Sequence, residues 1–483
     1  MTTDSNPPAD EPPGQSGQNN NGKSELTIYL YNVVEDEWGF INALSDQIKL
    51  LEEIDRDEAT SDCFYLSTAT QSHFAYISPK PISSEFQAYA QNLFKFKHGQ
   101  IFNPQMKTHQ LCLDLIADKT TFNQLVALAK TYQKISLISY AATPQFYQLK
   151  NELLKQGLNL STPEAPEIDY AWTVNFFGSK SGIRQLAQKS VAAEPDFVMA
   201  DGVICVGKYD AAKIAANKYI KNQGVVIKTN KGCGGNGVLI FRDKDLPYHY
   251  TSCERKISQI LSQENYWEKF PIVVEDLINV NFNSLTCFPN LEFKIKKNGQ
   301  IDLFFTCITK VTPNGEFYGQ DINDDILNDR LDTRISDTGY YIAEQYAAAG
   351  YRGRFDIDFI LSKGGQIFVS ESNTRNTGGT DIALIAQKLI GKDFIEDAYT
   401  LNRSRLKIAK SKLCVFDNLL NHLKPLLYSH QTKQGLIINS ENNLSEKELI
   451  YTIIAPDKKQ AYRLEAQMIA LLIPPRGWDT LDT

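Results

Sequence analysis

The sequence predicts an α/β protein of several domains whose chain opens on a parallel sheet. Three observations carry that reading. Strand and helix signals alternate from Leu26 to Gly157, as sequential β-α units do. A glycine cluster follows a β-branched strand near residue 230. The length of 483 residues exceeds the roughly 100–200 that one domain usually organises. Hydrophobic residues make up 42% and aromatics 11%, which excludes a mostly disordered, collagen-like or mucin-like chain. Lys and Arg total 50 against 57 Asp and Glu, a net charge of -7. Without a basic excess, binding to nucleic acid through phosphate charge is not expected, and small metabolites are the better partner class.

Residues 1–25 contain no Val, Ile, Leu, Phe, Tyr or Trp. They hold four prolines and an Asn run and read as a disordered tail without a signal peptide. No apolar run approaches the ~18–20 residues that span a bilayer. The eight cysteines form no Cys-x-x-Cys pair and the six histidines are scattered, so a reduced, cytoplasmic protein without a zinc site is expected.

From the start of the ordered chain, Leu26–Val33 reads as a strand, Gln47–Ile54 as a helix and Phe64–Leu66 as a short strand. Phe122, Leu125, Leu128 and Ala129 recur at helical spacing. Ile135–Tyr140 reads as a buried strand, and Gln145–Gln156 as a helix capped by Gly157. Thr162–Pro166 punctuates the chain and marks a boundary. Beyond it come a helix from Lys180, strands at Phe197–Met199 and Val225–Lys228, and a helix over Tyr209–Lys221. The strands Val238–Phe241 and Ile272–Asp276 follow. Phe355–Leu361 and Gln366–Ser370 flank Ser362-Lys-Gly-Gly365 as a hairpin, with a helix after Gly378. The last 80 or so residues carry strands at Gly435–Asn439 and Leu449–Ile454, then a helix from Lys459. The expected domains are 1–25, 26–165, 166–400 and 401–483.

Gly232, Gly234 and Gly237 match G-x-G-x-x-G, with Gly235 adding a fourth glycine. A dinucleotide site needs a helix after the third glycine, and here a strand follows. A kinase places its phosphate lysine on the strand after the loop, whereas Lys228 lies on the strand before it. A glycine-rich hairpin that lays backbone N–H groups over phosphates remains, against a purely structural turn. Glu371 and Asn373 sit two apart on a strand and share a face. With the turn centred near Gly364, Asp358 falls nearly opposite Glu371 on the neighbouring strand. Two carboxylates and an amide oxygen suit a hard cation. Asp356 shares the Asp358 face and either joins the cluster or meets solvent, while Ile367 and Val369 are expected on the Glu371 face. Lys180 and Lys228 both precede the glycines; most lysines are simply solvated, but Lys228 stands out because it ends a strongly apolar run that leads straight into them.

The order of these elements resembles the ATP-grasp enzymes. It runs from Lys180 through Val225-Val-Ile-Lys228, the Gly232–Gly237 loop and Val273-Val-Glu-Asp276 to Gly353-Arg-Phe-Asp-Ile-Asp-Phe359 and Glu371-Ser-Asn-Thr-Arg375. The resemblance covers roughly 170–400. The preceding α/β region looks like their pre-ATP-grasp domain, and with Arg375-Asn-Thr-Gly-Gly-Thr380 the layout is similar to peptide ligases of pheganomycin biosynthesis. The resemblance implies a parallel-sheet domain followed by a two-lobed ATP-grasp domain. It implies ATP and one or two Mg²⁺, with Mn²⁺ as an alternative ion. Lys180, Lys228 and the glycine backbone would contact phosphates, and Glu275, Asp276 and Leu277 would line the adenine pocket. Asp358, Glu371 and Asn373 would hold metal, while Arg375, and either Arg352 or Arg354, would steady the phosphoryl group or a carboxylate. Thr229 stands where a proline often follows the strand lysine. The implied reaction joins a carboxylate to an amine, an amino acid or short peptide, in an enzyme class where dimers are frequent. A small-molecule kinase and an ATP sensor are the alternatives.

Overall fold

The computed structural model describes residues 23–68, 73–96, 99–232, 237–282 and 286–473. Gly234 and Gly235, two of the expected loop glycines, lie outside the described residues, as do residues 1–22 of the expected tail. Among the described residues no helix is long and apolar enough to cross a membrane.

The first sheet is parallel and five-stranded. It comprises β1 (Lys23–Leu30), β2 (Phe74–Ile77), β3 (Gly99–Phe102), β4 (Tyr132–Ser139) and β5 (Leu160–Ser161), in the order β3-β2-β1-β4-β5. Ile28, Leu30, Ala75, Ile77, Ile135 and Leu137 are buried among Leu115, Leu125, Phe146 and Leu149 of the covering helices. The local signals are legible at the helix Pro144–Lys155. Thr143 caps its start by accepting from the Phe146 N–H at 3.1 Å, Pro144 occupies the first turn, and Gly157 turns the chain away at φ +79°.

A second sheet is antiparallel and four-stranded, in the order β6-β9-β7-β8: β6 (Gly202–Cys205), β7 (Val225–Thr229), β8 (Val238–Phe241) and β9 (Ile272–Asp276). The third sheet has eight strands. These are β10 (Pro289–Ile295), β11 (Ile301–Val311), β12 (Phe317–Ile322), β13 (Gly353–Leu361), β14 (Ile367–Asn373), β15 (Tyr399–Lys407), β16 (Gly435–Ile438) and β17 (Glu448–Ala455). Their order is β14-β13-β10-β11-β12-β15-β17-β16. The strands after residue 400 therefore extend the same sheet that carries β13 and β14, and β15 itself runs across the expected 400/401 division.

The period of two along β10 and β13 sorts this sheet into two chemistries. Leu291, Phe293, Ile295, Phe355, Ile357 and Phe359 are buried against the helix Asp329–Ala348, through Ile335, Ile342 and Tyr346. The intervening residues, Asn290, Glu292 and Lys294 on β10 and Arg354, Asp356 and Asp358 on β13, all project from the opposite face. They pair in register as Asn290 with Asp358, Glu292 with Asp356 and Lys294 with Arg354. Each apolar side chain fully buried beneath them contributes roughly 1.5–3 kcal/mol, and this anchorage fixes the polar face above.

Four expectations are corrected. Phe64–Leu66 lies in the helix Ser61–Thr68, every residue of which is buried, so the run carried no amphipathic signature to separate helix from strand. Phe197–Met199 is an irregular segment, and its Val198 carbonyl accepts from the Val369 N–H at 2.8 Å, at one end of β14. The first strand ends at Leu30, and Val33 already opens the helix Val33–Ile41. Ile367 and Val369 do not share the Glu371 face. Asp358 pairs with Glu371 but its neighbour Phe359 pairs with Val369, so Ser370 is an extra residue in β14. Such a bulge inverts the alternation. It sends Ile367 and Val369 into the apolar core and turns Glu371 to the polar face.

Candidate active site

Asp358 and Glu371 face each other across β13 and β14, and Asn373 faces Asp356 one pair further on. Two amides stitch the acidic pair of β13 together. Asn290 donates from Nδ2 to Asp356 Oδ2 at 3.1 Å and to Asp358 Oδ1 at 2.9 Å. Asn373 donates from Nδ2 to Asp356 Oδ1 at 3.0 Å and Asp358 Oδ2 at 3.4 Å, and from its backbone N–H to Asp356 Oδ1 at 3.1 Å. Burial pushes Asp356 up to about 6. Asp358 is held well above the carboxylate range by burial, with the charges of Asp356 and Glu371 adding to it.

Glu371 behaves in the opposite way. Lys180 Nζ lies 3.1 Å from its Oε2 and is the main reason its carboxyl is held at about 2; Lys228 and Arg375 pull in the same direction. Lys180 contacts the carboxylate directly, Arg375 lines the same cleft, and Lys228 acts on it through its charge. The local structure brings Lys180 there. Its helix starts with Ser179 accepting from the Gly182 N–H, and the Lys180 and Ser181 N–H groups donate to Asn230 just beyond β7 at 3.2 and 2.8 Å.

Lys228, one residue before the end of β7, pairs with Glu275 of β9, whose other oxygen takes Arg184 Nη2 at 2.5 Å. Lys228, Glu275 and Arg184 are 8%, 6% and 4% exposed, so the triad is shielded from solvent. Glu275 thus engages two cations, while Asp276, the next residue on the strand, pairs with Lys218 at 2.7 Å away from them. Leu277 lies against Gly224.

Gly232 lines a cleft with Asp36, Glu37, Phe40, Lys180, Lys231, Glu371, Asn373 and Arg375. Gly237, at the far end of the glycine loop, has φ +77°, and a Cβ there would lie 2.3 Å from Thr229 Cγ2 and 3.1 Å from Phe40. Glycine is required at that position on both counts. Of the three candidate arginines, Arg375 alone reaches the cleft, with Nη1 3.3 Å from Asn373 Oδ1. Arg354 is buried on the same sheet face beneath it, pairing with Glu292 at 3.3 Å and Glu164 at 3.5 Å. Arg352 turns to the backbone carbonyls of Lys297, Ala347 and Tyr351.

Sequence reasoning missed Asp36 and Glu37, which meet Arg375 from the first domain, and also Asn290 and Arg184. For the acidic pair a signal existed. It follows the carboxyl end of a predicted parallel strand, where open α/β sheets place their ligands. Asn290 and Arg184 carried none.

Among the described residues no three Asp, Glu, His or Cys side chains converge on one point. A cation here would rest on Asp358, Glu371 and the Asn373 amide, with substrate phosphate oxygens completing its shell. The residues fit such an ion. They are hard oxygen donors on adjacent strands, and the buried acids Asp356 and Asp358 are pushed up in its absence, which a divalent charge would relieve.

A parallel sheet, a small antiparallel lobe with a glycine loop, and a large antiparallel sheet whose face carries acids and an E-x-N-x-R strand together make the ATP-grasp fold. Biotin carboxylase from Campylobacter jejuni, solved as a β,γ-ATP complex, shares it with a TM-score of 0.53 and 12% identity over 92% of this chain and 91% of that one. N5-carboxyaminoimidazole ribonucleotide synthetase from Thermus thermophilus matches with a TM-score of 0.53 and 10% identity over 94% and 100%. The biotin carboxylase domain of Hydrogenobacter thermophilus 2-oxoglutarate carboxylase, solved with MgADP, ADP and bicarbonate, gives 0.51 and 11% over 92% and 89%. At these identities the likeness is one of fold. No family model matches the sequence, and no curated protein matches it either.

Proposed function

We propose that the protein is an ATP- and Mg²⁺-dependent carboxylate–amine ligase that forms ADP, phosphate and an amide, with an amino acid or short peptide among its substrates. The observation that carries this reading is the contact of Lys180 with Glu371 at 3.1 Å in a cleft that Arg375 and Asn373 also line, with Asp358 paired to Glu371 across the strands. Cations lie beside oxygen donors for a divalent ion, as phosphoryl transfer requires. An ATP-binding sensor has no need of the Asp358, Glu371 and Asn373 set.

A carboxylate is a poor acyl donor because an amine would have to expel an oxide. In the proposed reaction a substrate carboxylate oxygen attacks the γ-phosphorus of ATP and ADP leaves, giving an acyl phosphate. The amine nitrogen then attacks the carbonyl carbon, phosphate departs with the C–O bond electrons, and the nitrogen loses its proton to water. Lys180 and Lys228 bind the phosphates, the glycine-rich segment beginning at Gly232 is the candidate to meet them, and Arg375 orients the acyl-phosphate oxygens. Glu275 and Leu277 border the adenine, and Asp358, Glu371 and Asn373 hold the metal. When bound, Mg²⁺ supplies charge neutralisation at the phosphate oxygens. Excluding water protects the acyl phosphate from hydrolysis. Residues 26–165 form the pre-ATP-grasp domain in this reading, 166–400 the ATP-grasp domain, and 401–483 complete its large sheet. The dispersed cysteines suit the cytoplasm.

The test is ADP release from Mg-ATP with pooled amino acids and small carboxylates, with mass spectrometry of the products. An amide mass appearing with ADP is the expected result, and Glu371→Ala should cut turnover by at least two orders of magnitude while the protein stays folded. A phosphorylated hydroxyl product would replace this reading with a kinase. Wild-type turnover in folded Glu371→Ala would remove the metal assignment.

A further inference from the structure

Arg375 does not stand free in the cleft. Its Nη1 lies 3.4 Å from Asp36 Oδ2 and its Nη2 lies 3.3 Å from Glu37 Oε1. Asp36 Oδ1 also faces Lys231 Nζ at 3.8 Å. These acids belong to the helix Val33–Ile41 of the first sheet, far from Arg375 in the chain, and both line the cleft beside Glu371.

Both sides of this contact are locked. On the first-domain side, Asn32 donates from Nδ2 to Glu35 Oε2 at 2.9 Å and to the Ala141 carbonyl at 2.9 Å, and Thr143 Oγ1 donates to Glu35 Oε2 at 2.7 Å. That network ties the start of the helix to the turn after β4. On the other side, Asn376, the residue after the arginine, donates from Nδ2 to the Ser139 and Tyr140 carbonyls at 3.1 Å each, and its N–H donates to Tyr140 O at 3.0 Å. The segment leaving β14 is therefore bonded to the carboxyl edge of the parallel sheet. A planar guanidinium gripped through two nitrogens by two carboxylates has a set orientation.

We infer that Asp36 and Glu37 are positioning residues for Arg375 and set the anion affinity of the cleft, an inference that rests on the ligase reading for its catalytic meaning. Their charges hold the guanidinium beside Asn373. An incoming carboxylate or phosphate must win Arg375 from them. The cleft then retains only anions that are also held elsewhere, by the lysines and the metal donors, and inorganic phosphate alone is bound weakly.

The experiment measures inorganic phosphate binding calorimetrically to the full chain, without ATP or metal. Asp36→Asn should bind phosphate several-fold to tenfold more tightly than the wild type, and Glu37→Gln should shift it in the same direction. Asp36→Glu, which keeps the charge, should restore wild-type affinity and rules out a general loss of structure. In the double variant Asp36→Asn/Arg375→Ala the affinity should fall back to that of Arg375→Ala alone. Unchanged, weaker or unmeasurable phosphate binding in folded Asp36→Asn would overturn the inference, as would a gain that survives removal of Arg375. No turnover enters this measurement. Failure of the ligase reading is seen separately, as absence of Mg-ATP binding or of an amide product in the wild type.

Discussion

Replacing Glu275 by Gln tests the buried triad that holds Lys228. The carboxylate is 6% exposed and lies between Lys228 and Arg184, themselves 8% and 4% exposed. The substitution keeps the shape and removes the one negative charge that serves both cations. Deleting one member of a buried ion pair costs about 3–5 kcal/mol, because the partner is left buried and uncompensated. Two stranded cations argue for the upper part of that range. Arg184 keeps its bond to the Ala200 carbonyl at 2.8 Å, which brings the expectation to about 4 kcal/mol. At ~2.1 cal/mol/K of unfolding entropy per residue, 483 residues give about 1 kcal/mol/K, and the melting temperature should drop by roughly 4 °C. Scanning calorimetry reads this directly. Mg-ATP should then raise the melting temperature more in the variant than in the wild type, since its phosphates supply the missing negative charge. A melting temperature within about 1 °C of wild type would refute the reasoning, because the triad would then not be holding buried charge.

Two further outcomes follow from the same geometry. Gly237→Ala should lose about 2–4 kcal/mol by thermal melting, from a left-handed backbone and a Cβ pressed against Thr229 and Phe40; a neutral result would show that this backbone relaxes freely. Burial pushes Asp62 up to about 7, although its Oδ2 accepts from Ser440 Oγ at 3.0 Å and from the Glu441 and Asn442 N–H groups at 2.7 and 2.9 Å. An acid raised on folding gives stability that is present below its unfolded value near 4 and declines as pH rises to about 7. About three pH units set a ceiling of roughly 4 kcal/mol; weaker acceptance by an amide leaves Asp62→Asn stabilised by about 1–2 kcal/mol at pH 8 and by less at pH 5. Urea midpoints that differ from wild type by the same amount at both pH values would disprove the linkage.

Much of the acidic sheet face was readable because its determinants are local. The Gly364-Gly365 turn and a period of two bring Asp358 within one residue of Glu371, and the extra residue Ser370 completes the observed pairing. The bulge at Ser370 was not readable, since one extra residue leaves composition and spacing unchanged while reversing which side chains are buried. Strands β7 and β8, on either side of the glycine run, were legible from their β-branched and apolar residues. Strands β10 to β12 were missed. In β10 a signal existed, because Asn290-Leu-Glu-Phe-Lys-Ile295 alternates polar and apolar residues, although all but Lys294 are buried. The partners of Arg375 were beyond reach for another reason: Glu37 lies 338 residues away, and nothing in either stretch identifies the other.

The hydrogen bonds from Asn376 to the ends of the parallel sheet make the cleft a joint property of distant chain segments. A fragment starting after Pro166 would keep Asp358, Glu371 and Asn373 on their strands but would strip Arg375 of its counterions and its backbone moorings. Grafting this carboxyl-terminal portion onto a foreign parallel-sheet module would fail in the same manner unless the donor brought equivalent acids at the end of its first strand. The seam between modules is thus where substitutions on one side constrain those on the other, and engineering by module exchange must carry the helix Val33–Ile41 along with the sheet that bears the metal donors.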